Sequence, residues 1–282
     1  MDVPRATATK LVQELERQLG VRLLQRTTRR VSLSPEGAAY YERASRLISE
    51  LDEMNESAAG ASAKPRGRLR VDIGSSPANL LLIPALGSFQ AQYPHLRLDL
   101  GVSDRPIDLI GEGVDCVIRG GEMPDSSLVA RRLADLEWAT CAAPAYLRER
   151  GLPQHPTDLM KPLPDGGHAA VGYFSSLTGR HAALEFEQAE ERFTVPTGTA
   201  IAVNESTAHL TALVAGLGVG QTFRFAAAPH FADGSLVEVL PGWHRPLHRL
   251  SLVYPGSRHP NSKIRAFSDW AVALFSQVDA GR

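Results

Sequence analysis

The chain has 282 residues, 43% of them hydrophobic, and its formal net charge at pH 7 is −1. This length allows two domains of ordinary size or one large one, and the apolar content provides a sizeable core. The sequence contains neither an apolar run long enough to span a membrane nor the apolar segment of a signal peptide, so we expect a cytoplasmic protein without a membrane partner.

Basic residues are concentrated at the start of the chain. Residues 1–34 contain seven Lys or Arg and three Asp or Glu, whereas the whole chain is close to neutral. This asymmetry favours an anionic partner for the N-terminal segment alone. A solvated surface helix accounts for the same charge equally well.

The first predicted element is a helix over residues 9–19, ended by Gly20. Its apolar side consists of Leu11, Val12, Leu15 and Leu19. The opposite side consists of Ala6, Lys10, Gln13 and Arg17. Small side chains, an amide and cations on one side suit a helix that enters the major groove of DNA.

A hairpin is predicted next, with strands at 21–24 and 31–33. The turn between them contains Arg26, Thr27, Thr28, Arg29 and Arg30. Arginines and hydroxyls at the tip of a hairpin suit DNA phosphates or the minor groove. Ser34 is then expected to cap a new helix that has Pro35 at its first position.

A long amphipathic helix is predicted over residues 35–59. Four apolar or small residues recur at heptad spacing, namely Tyr41, Ala44, Ile48 and Leu51. This seam predicts a helix that pairs with its copy in a dimer, the alternative being a helix packed on its own domain. Residues 60–68 are small, basic and contain a proline, which indicates a hinge.

From residue 69 onward, apolar strands alternate with helices, which predicts an α/β fold with largely parallel sheets. Within this pattern PIDLIGEG, residues 106–113, is interpreted as a short helix. LADLEWATCAAP, residues 133–144, is interpreted as one long strand.

Two parts of the chain resemble one family. ELERQLGVRLLQRTTRRVSLSPEG, residues 14–37, is similar over its whole length to the winged helix-turn-helix of LysR-type transcriptional regulators. GRLRVDIGSS, DLIGEGVDCVIRGG and VAGLGVG resemble the effector-binding half of that family, whose fold of two subdomains is similar to type 2 periplasmic binding proteins. The resemblance covers almost the whole chain.

The resemblance implies a DNA-binding transcriptional regulator without enzymatic activity or cofactor. Its implied partners are double-stranded promoter or operator DNA, a small carboxylated effector, further copies in a homodimer or homotetramer, and RNA polymerase. The residues implied to contact DNA are Arg5, Thr7, Thr9 and Lys10 in the recognition helix and Arg29 and Arg30 in the wing.

One departure from the family concerns the start of the chain. The family has two helices before the recognition helix, whereas this sequence begins at the recognition helix, so residues 1–34 match only part of a winged helix-turn-helix. We expect either a misassigned start or a truncated regulator that keeps sensing and dimerisation but lacks operator binding.

The family topology implies one subdomain of residues 69–142 and 247–282, a second of residues 143–246, and an effector cleft between them. The candidate cleft residues are Ser75, Ser76, Ser103, Arg119 and Thr222. Ser75 and Ser76 precede a helix, and the N–H groups at its start together with the two hydroxyls form an anion site, although Ser75 as a simple cap is the alternative. For Arg119 an internal ion pair with Asp104 or Asp115 is favoured over a ligand carboxylate.

Other classes of function find less support in the sequence. The glycines of GLGVG follow a helix and precede a strand, which is the wrong order for a dinucleotide-binding loop. Cys116 and Cys141 lie in apolar runs, and neither they nor the histidines have metal-ligand spacing, so no metal site is predicted. An α/β enzyme is disfavoured because no catalytic constellation is found. A cytoplasmic solute-binding protein of similar fold remains as an alternative.

Overall fold

The computed structural model describes residues 5–26, 31–41, 43–44, 47–48, 65–109, 111–121, 128–161, 163–197, 201–256 and 261–280. The chain divides into one compact unit within residues 1–63 and a larger one within residues 64–282. The predicted turn at 27–30, the linker beyond residue 48 and the hinge up to residue 64 lie outside the described residues.

The N-terminal unit begins with helix α1 (Arg5–Leu19), followed by an antiparallel hairpin of β1 (Leu24–Arg26) and β2 (Val31–Leu33). Gly20 ends α1 with φ +72°, as predicted. The first strand starts three residues later than expected, because the Glu16 carboxylate accepts hydrogen bonds from the backbone N–H groups of Leu23 and Leu24 at 2.8 and 2.9 Å. The helix and the hairpin are thereby joined.

The predicted cap of the next helix is confirmed. The Gly37 N–H donates to Ser34 Oγ at 2.8 Å, and the Ser34 hydroxyl donates to the Arg22 carbonyl at 2.6 Å. Residues 35–41, 43–44 and 47–48 are helical and form α2. Ser34 therefore both starts α2 and ties it to the residues preceding the hairpin.

Replacing Ser34 with alanine should lower the stability of the N-terminal unit by about 1–2 kcal/mol, because a buried cap and a second hydrogen bond are lost together. Ser32→Ala, in the exposed part of β2, is the matched control. Urea titration followed by circular dichroism measures both. Equal midpoints for the two variants would contradict the role assigned to the cap.

The first subdomain of the larger unit is a five-stranded sheet in the order β4-β3-β5-β15-β6. Its strands are β3 (Gly67–Ile73), β4 (Leu96–Val102), β5 (Cys116–Gly120), β6 (Leu128–Leu136) and β15 (His248–Pro255). A continuous helical stretch packs on it, comprising α3 (Ser75–Pro77), a π-helical turn (Ala78–Leu82) and α4 (Ile83–Gln92). Helix α8 (Ser262–Ala280) completes the core, in which Phe89, Phe267 and Phe275 are fully buried.

The second subdomain contains shorter sheets. Its strands are β7 (Trp138–Ala142), β8 (Val171–Phe174), β9 (His181–Ala182), β10 (Leu184–Gln188), β11 (Glu191–Val195), β12 (Ile201–Val203), β13 (Gly220–Phe223) and β14 (Val237–Glu238). Its helices are α5 (Pro144–Arg150), α6 (Ser206–Val214), α7 (Arg224–Ala232) and the 3₁₀ turns Pro156–Met160 and Leu163–Asp165. The strand orders are β13-β7-β14, β12-β8-β9 and β10-β11.

Two sequence interpretations in this region are wrong. The long strand expected over 133–144 is two strands separated at Glu137, and the second of them, β7, pairs with β13 and β14 in the second subdomain. The chain therefore crosses between the subdomains at Glu137, five residues before the expected boundary. The described part of 106–113 forms turns, closed by the Asp108 carboxylate and the Gly111 N–H at 3.0 Å, instead of a helix.

The expectation of largely parallel sheets holds for half of the first sheet. Strand β3 is parallel to β4 and β5, but β15 is antiparallel to β5 and β6. Strand β6 leads out to the second subdomain and β15 returns from it, so these two neighbours must run in opposite directions. Helix α7 was not predicted and contains Pro229 in its interior.

The GLGVG segment has a structural role. A Cβ atom at Gly218 would lie 2.4 Å from the Ala169 carbonyl oxygen, where Val219 and Ala169–Val171 exchange backbone hydrogen bonds of 2.8 and 2.9 Å. Since the obstructing atom belongs to the backbone, only glycine permits this approach. The segment therefore pairs with the residues just before β8 and leads directly into β13.

Within the described residues no helix is long and apolar enough to cross a membrane.

Candidate functional site

A cavity of about 340 Å³ lies between the two subdomains, and residues from both line it. This volume falls within the usual range for small-molecule sites. Its apolar lining includes Ile118, Leu136, Trp138, Val171, Tyr173, Leu184, Phe223 and Leu250. Its polar and charged lining comprises Asp104, Arg119, Ser206, His209, Gln221, Thr222, Arg245 and His248. Of the predicted cleft residues, Arg119 and Thr222 belong to this lining.

At the edge of the cavity, the first N–H groups of helices α3 and α6 are already hydrogen-bonded to a carboxylate of the chain itself. Asp104 Oδ1 accepts a hydrogen bond from the Ser75 N–H at 2.7 Å, and Oδ2 accepts one from the Ser206 N–H at 2.5 Å. Glu205 accepts from the next two N–H groups of α6, at 3.0 and 2.6 Å. Asp104 therefore bridges the first turns of helices from the two subdomains, where the helix dipoles favour negative charge.

The predicted serines occupy positions different from those expected. Ser75 is the first helical residue after Gly74, so it does not cap the helix, and its hydroxyl lies 3.0 Å from that of Ser206. The Ser76 N–H donates to Ser206 Oγ at 3.0 Å. Ser75, Ser76 and Ser103 are not among the residues that line the cavity. The hydroxyls of Ser76 and Ser103 are buried without hydrogen-bond partners among the described residues.

Arg119 forms an internal ion pair, but with Asp72 instead of Asp104 or Asp115. Both side chains are largely buried, and the guanidinium also donates to the carbonyls of Ile118 and Arg105 at 3.1 and 3.2 Å. Burial raises the pKa of Asp72, and the nearby Arg119 charge opposes that rise. Asp115 instead accepts a hydrogen bond from the Arg70 N–H at 2.6 Å.

Arg245 is a second cation in the lining, and an aromatic stack holds it. Its guanidinium carbon lies 4.0 Å from the centroid of the Trp138 ring, and the Phe223 ring stacks on Trp138 at 4.3 Å. Trp138 therefore contacts both the Arg245 guanidinium and the Phe223 ring. Trp138 and Phe223 are register partners in the β7–β13 pair. Burial lowers the pKa of Arg245, while Glu185 opposes that shift.

Two histidines complete the lining. His209 is buried and its Nε2 lies 3.0 Å from the Val171 carbonyl; burial lowers its pKa. Burial and the Arg245 charge both lower the pKa of His248. A Cβ atom at Gly120 would lie 1.7 Å from His248 Nε2, so the glycine provides the room in which this ring packs. Both histidines are therefore favoured in the neutral form.

The polar side of α1 is open to solvent. Thr7, Thr9, Lys10 and Gln13 are all exposed there. On its apolar side Leu11 and Leu19 are 63% and 41% exposed. The side chains of Arg5 and Arg26, and residues Thr27, Arg29 and Arg30, lie outside the described residues. On α2 the side chains of Tyr41 and Ile48 are exposed and Ala44 is half-buried, while Leu51 lies outside the described residues.

Family comparison accounts for both units. Residues 62–276 match the LysR substrate binding domain, and residues 1–38 match the bacterial regulatory helix-turn-helix of the LysR family. The chain belongs to the LysR family of transcriptional regulators. The expected fold class, a winged helix-turn-helix segment and linker helix followed by an effector-binding domain of two subdomains, is confirmed.

Curated relatives extend over nearly the whole chain. An HTH-type transcriptional repressor of Pseudomonas aeruginosa (strain UCBPP-PA14) is 38% identical over 277 residues, covering 98% of this chain and 86% of the relative. The HTH-type transcriptional regulator YhjC of Escherichia coli K12, itself uncharacterized, is 38% identical over 275 residues, covering 98% and 90%. The chain is therefore a LysR-family regulator over its whole matched length.

Solved structures of the family have the same architecture. CrgA, a LysR-type transcriptional regulator from Neisseria meningitidis, superposes with a TM-score of 0.66 at 29% identity, covering 97% of this chain and 90% of CrgA. The full-length Vibrio cholerae virulence activator AphB superposes with a TM-score of 0.63 at 26% identity, covering 96% and 90%.

Sequence reasoning missed several cavity residues. Trp138 was missed because residues 133–144 were interpreted as one strand. Arg245 was missed because it lies between β14 and β15, in a segment without periodicity. Asp104 was considered only as a partner for Arg119. The available signal for its role was an acidic residue two positions after the end of β4, because a carboxylate at the end of a strand can lie near the positive start of a helix.

Proposed function

We propose that this LysR-family regulator reads operator DNA with the polar side of α1 and responds to a small carboxylated effector bound in the cavity. The observation that carries the proposal is a cavity lined by both subdomains. A ligand there contacts two bodies that the described part of the chain joins at Glu137 and between β14 and β15. A ligand that binds one relative arrangement of the subdomains better than another shifts the population toward it.

The DNA-reading part of the proposal rests on α1. Thr7, Thr9, Lys10 and Gln13 present short or flexible polar groups on one exposed surface, which suits contact with base edges and phosphates. Arg5, Arg26, Thr27, Arg29 and Arg30 are proposed to add phosphate or minor-groove contacts. Two copies are proposed to associate through Tyr41, Ala44, Ile48 and Leu51 of the linker, giving a dimer or tetramer that acts on RNA polymerase.

We further propose that the cavity senses its ligand without transforming it. Among its described lining, Ser206 Oγ is engaged with Ser75 and with the Ser76 N–H, and His209 Nε2 lies against a carbonyl. Neither is free to act as an activated nucleophile or its base.

Lys10→Ala and Gln13→Ala should affect DNA binding in different ways. Removing a phosphate-contacting lysine weakens binding to all sequences and reduces the salt slope of the binding constant by about one. Removing an amide that reads a base edge relaxes discrimination and leaves the salt slope unchanged. Fluorescence anisotropy with DNA from upstream of its own coding sequence and with random DNA, at several salt concentrations, measures both.

Arg148→Ala is the control, since it removes one exposed positive charge from α5 in the other unit. It should bind DNA as the wild-type chain does. A wild-type chain that binds its own upstream DNA no better than random DNA would count against the proposal.

A further inference from the structure

The charged groups of the cavity lining differ in how many hydrogen-bond and ion-pair partners they have within the protein. Asp104 accepts two backbone hydrogen bonds, and Arg119 is paired with the buried Asp72. For Arg245 the described residues offer one carboxylate, Glu185, whose Oε2 lies 3.7 Å from the Arg245 Nε. That separation is too long for a hydrogen bond. Among the described lining, Arg245 is therefore the cation without a hydrogen-bonded carboxylate, whereas Arg119 is paired with Asp72 and leaves its buried Nε without a partner.

Arg245 is nevertheless largely buried and held in place. Its side chain is 19% exposed and lies over the Trp138 ring, which also stacks with Phe223. Its neighbour His244 exchanges backbone hydrogen bonds of 2.7 and 2.9 Å with Glu187 of β10. Burying a guanidinium is costly unless an anion pairs with it and satisfies its N–H groups. A stacked, pre-positioned guanidinium with available donors is suited to a bidentate carboxylate.

The remainder of the lining limits what can be attached to that carboxylate. Much of the lining is apolar, and the polar side chains Ser206, His209 and Gln221 are already hydrogen-bonded within the protein. The apolar side chains are Ile118, Leu136, Val171, Leu184, Phe223 and Leu250. The acidic group of the lining, Asp104, already accepts hydrogen bonds from two backbone N–H donors, and its negative charge disfavours a second ligand carboxylate beside it. A second carboxylate on the ligand would gain no free cation, because Arg119 is neutralised by Asp72.

We propose that the effector is a small monocarboxylate with an apolar body, whose carboxylate is held by Arg245 and not by the helix start at Ser75 and Ser76. The inference rests on the proposed function, since it names the effector class and its anchoring residue for the same cavity. Asp104 occupies the helix-start anion position, so the ligand carboxylate binds at the Trp138–Arg245 stack.

The test is isothermal titration calorimetry of the full chain with benzoate, cyclohexanecarboxylate and benzamide. Benzamide has nearly the shape of benzoate but no charge, so it isolates the contribution of the carboxylate. The wild-type chain should bind benzoate or cyclohexanecarboxylate at least tenfold more tightly than benzamide. Arg245→Gln should remove that preference, lowering carboxylate affinity at least tenfold while leaving benzamide affinity unchanged.

Arg192→Gln is the matched control, because this exposed arginine of β11 makes the same change outside the cavity lining. It should bind all three compounds as the wild-type chain does. If Arg245→Gln does not fold, Arg245→Lys takes its place in the test. Lysine keeps the charge but lacks the planar guanidinium, so its carboxylate affinity should lie between that of the wild-type chain and that for benzamide.

Equal affinities of the wild-type chain for benzoate and benzamide, or binding of neither carboxylate, would overturn the inference, as would wild-type carboxylate affinity in a folded Arg245→Gln chain. These outcomes are separable from failure of the proposed function. If the chain prefers its own upstream DNA but Arg245 has no role in ligand binding, the regulator proposal stands and this inference fails. If carboxylate binding depends on Arg245 but the chain does not bind DNA, the DNA-reading part of the proposed function fails.

Discussion

Replacing Asp104 with alanine should destabilise the effector-binding domain by about 3 kcal/mol, because two charge-assisted hydrogen bonds, each contributing about 1.5–3 kcal/mol, are lost together. The N–H groups of Ser75 and Ser206 would be left at two helix starts without their anion. Because these helices belong to different subdomains, the loss should also weaken the contact between them. Thermal unfolding and urea titration measure the first effect.

Chemical rescue makes this prediction specific. Acetate at high concentration should raise the melting temperature of Asp104→Ala, since its carboxylate can enter the vacated position, but should leave the wild-type temperature nearly unchanged. Asp108→Ala removes a carboxylate from an exposed turn, where it accepts from Gly111 at 3.0 Å, and serves as control. If Asp104→Ala is no less stable than Asp108→Ala, the bridging role of Asp104 is wrong.

Asp72→Ala is expected to have a larger effect, about 3–5 kcal/mol, because it leaves the Arg119 guanidinium buried and without its carboxylate. The buried position matters here, since an exposed ion pair contributes at most about 1 kcal/mol. The first-subdomain sheet should unfold at lower urea concentration. Chemical denaturation with a fluorescence readout gives the free energy of unfolding.

A double variant distinguishes loss of the pair from loss of packing. Asp72→Leu combined with Arg119→Met replaces both charges by apolar groups, and should recover more than half of the stability lost in Asp72→Ala. The pair Arg132 and Asp135, 3.0 Å apart, has an arginine that is 53% exposed and provides a control in Arg132→Ala, which should cost less than 1 kcal/mol. Additive losses in the double variant would show that the two side chains act independently.

Features set by neighbouring residues were accessible from the sequence. Ser34 and Pro35 predicted the start of α2, and Gly20 predicted the end of α1. The alternation of strands and helices predicted the α/β class. Caps and periodicity depend on residues within one or two turns, so they can be identified locally. The resemblance of residues 14–37 to one family pointed to DNA binding. The location of a ligand cleft between two subdomains came from the resemblance of later segments, such as GRLRVDIGSS, to the effector-binding half of the same family.

Strand pairing was less accessible. LADLEWATCAAP has the apolar content of one buried strand, and nothing within the segment shows that the chain changes sheets at Glu137. That division depends on β13 and β14, which pair with Trp138–Ala142 from residues 220–238. Pairing over such separations is decided by the packed sheet, because many segments have equal local preference for the strand conformation.

The chemistry of the site was decided by tertiary structure for the same reason. The sequence alone determined the family, the classes of element, the capped start of α2 and the candidacy of Arg119 and Thr222 as cleft residues. Only the tertiary structure decided that Asp104 takes the helix-start anion position, that Asp72 takes Arg119, and that Trp138 holds Arg245. A buried charge requires a partner, but which of several carboxylates or rings supplies it depends on distances between residues far apart in the chain.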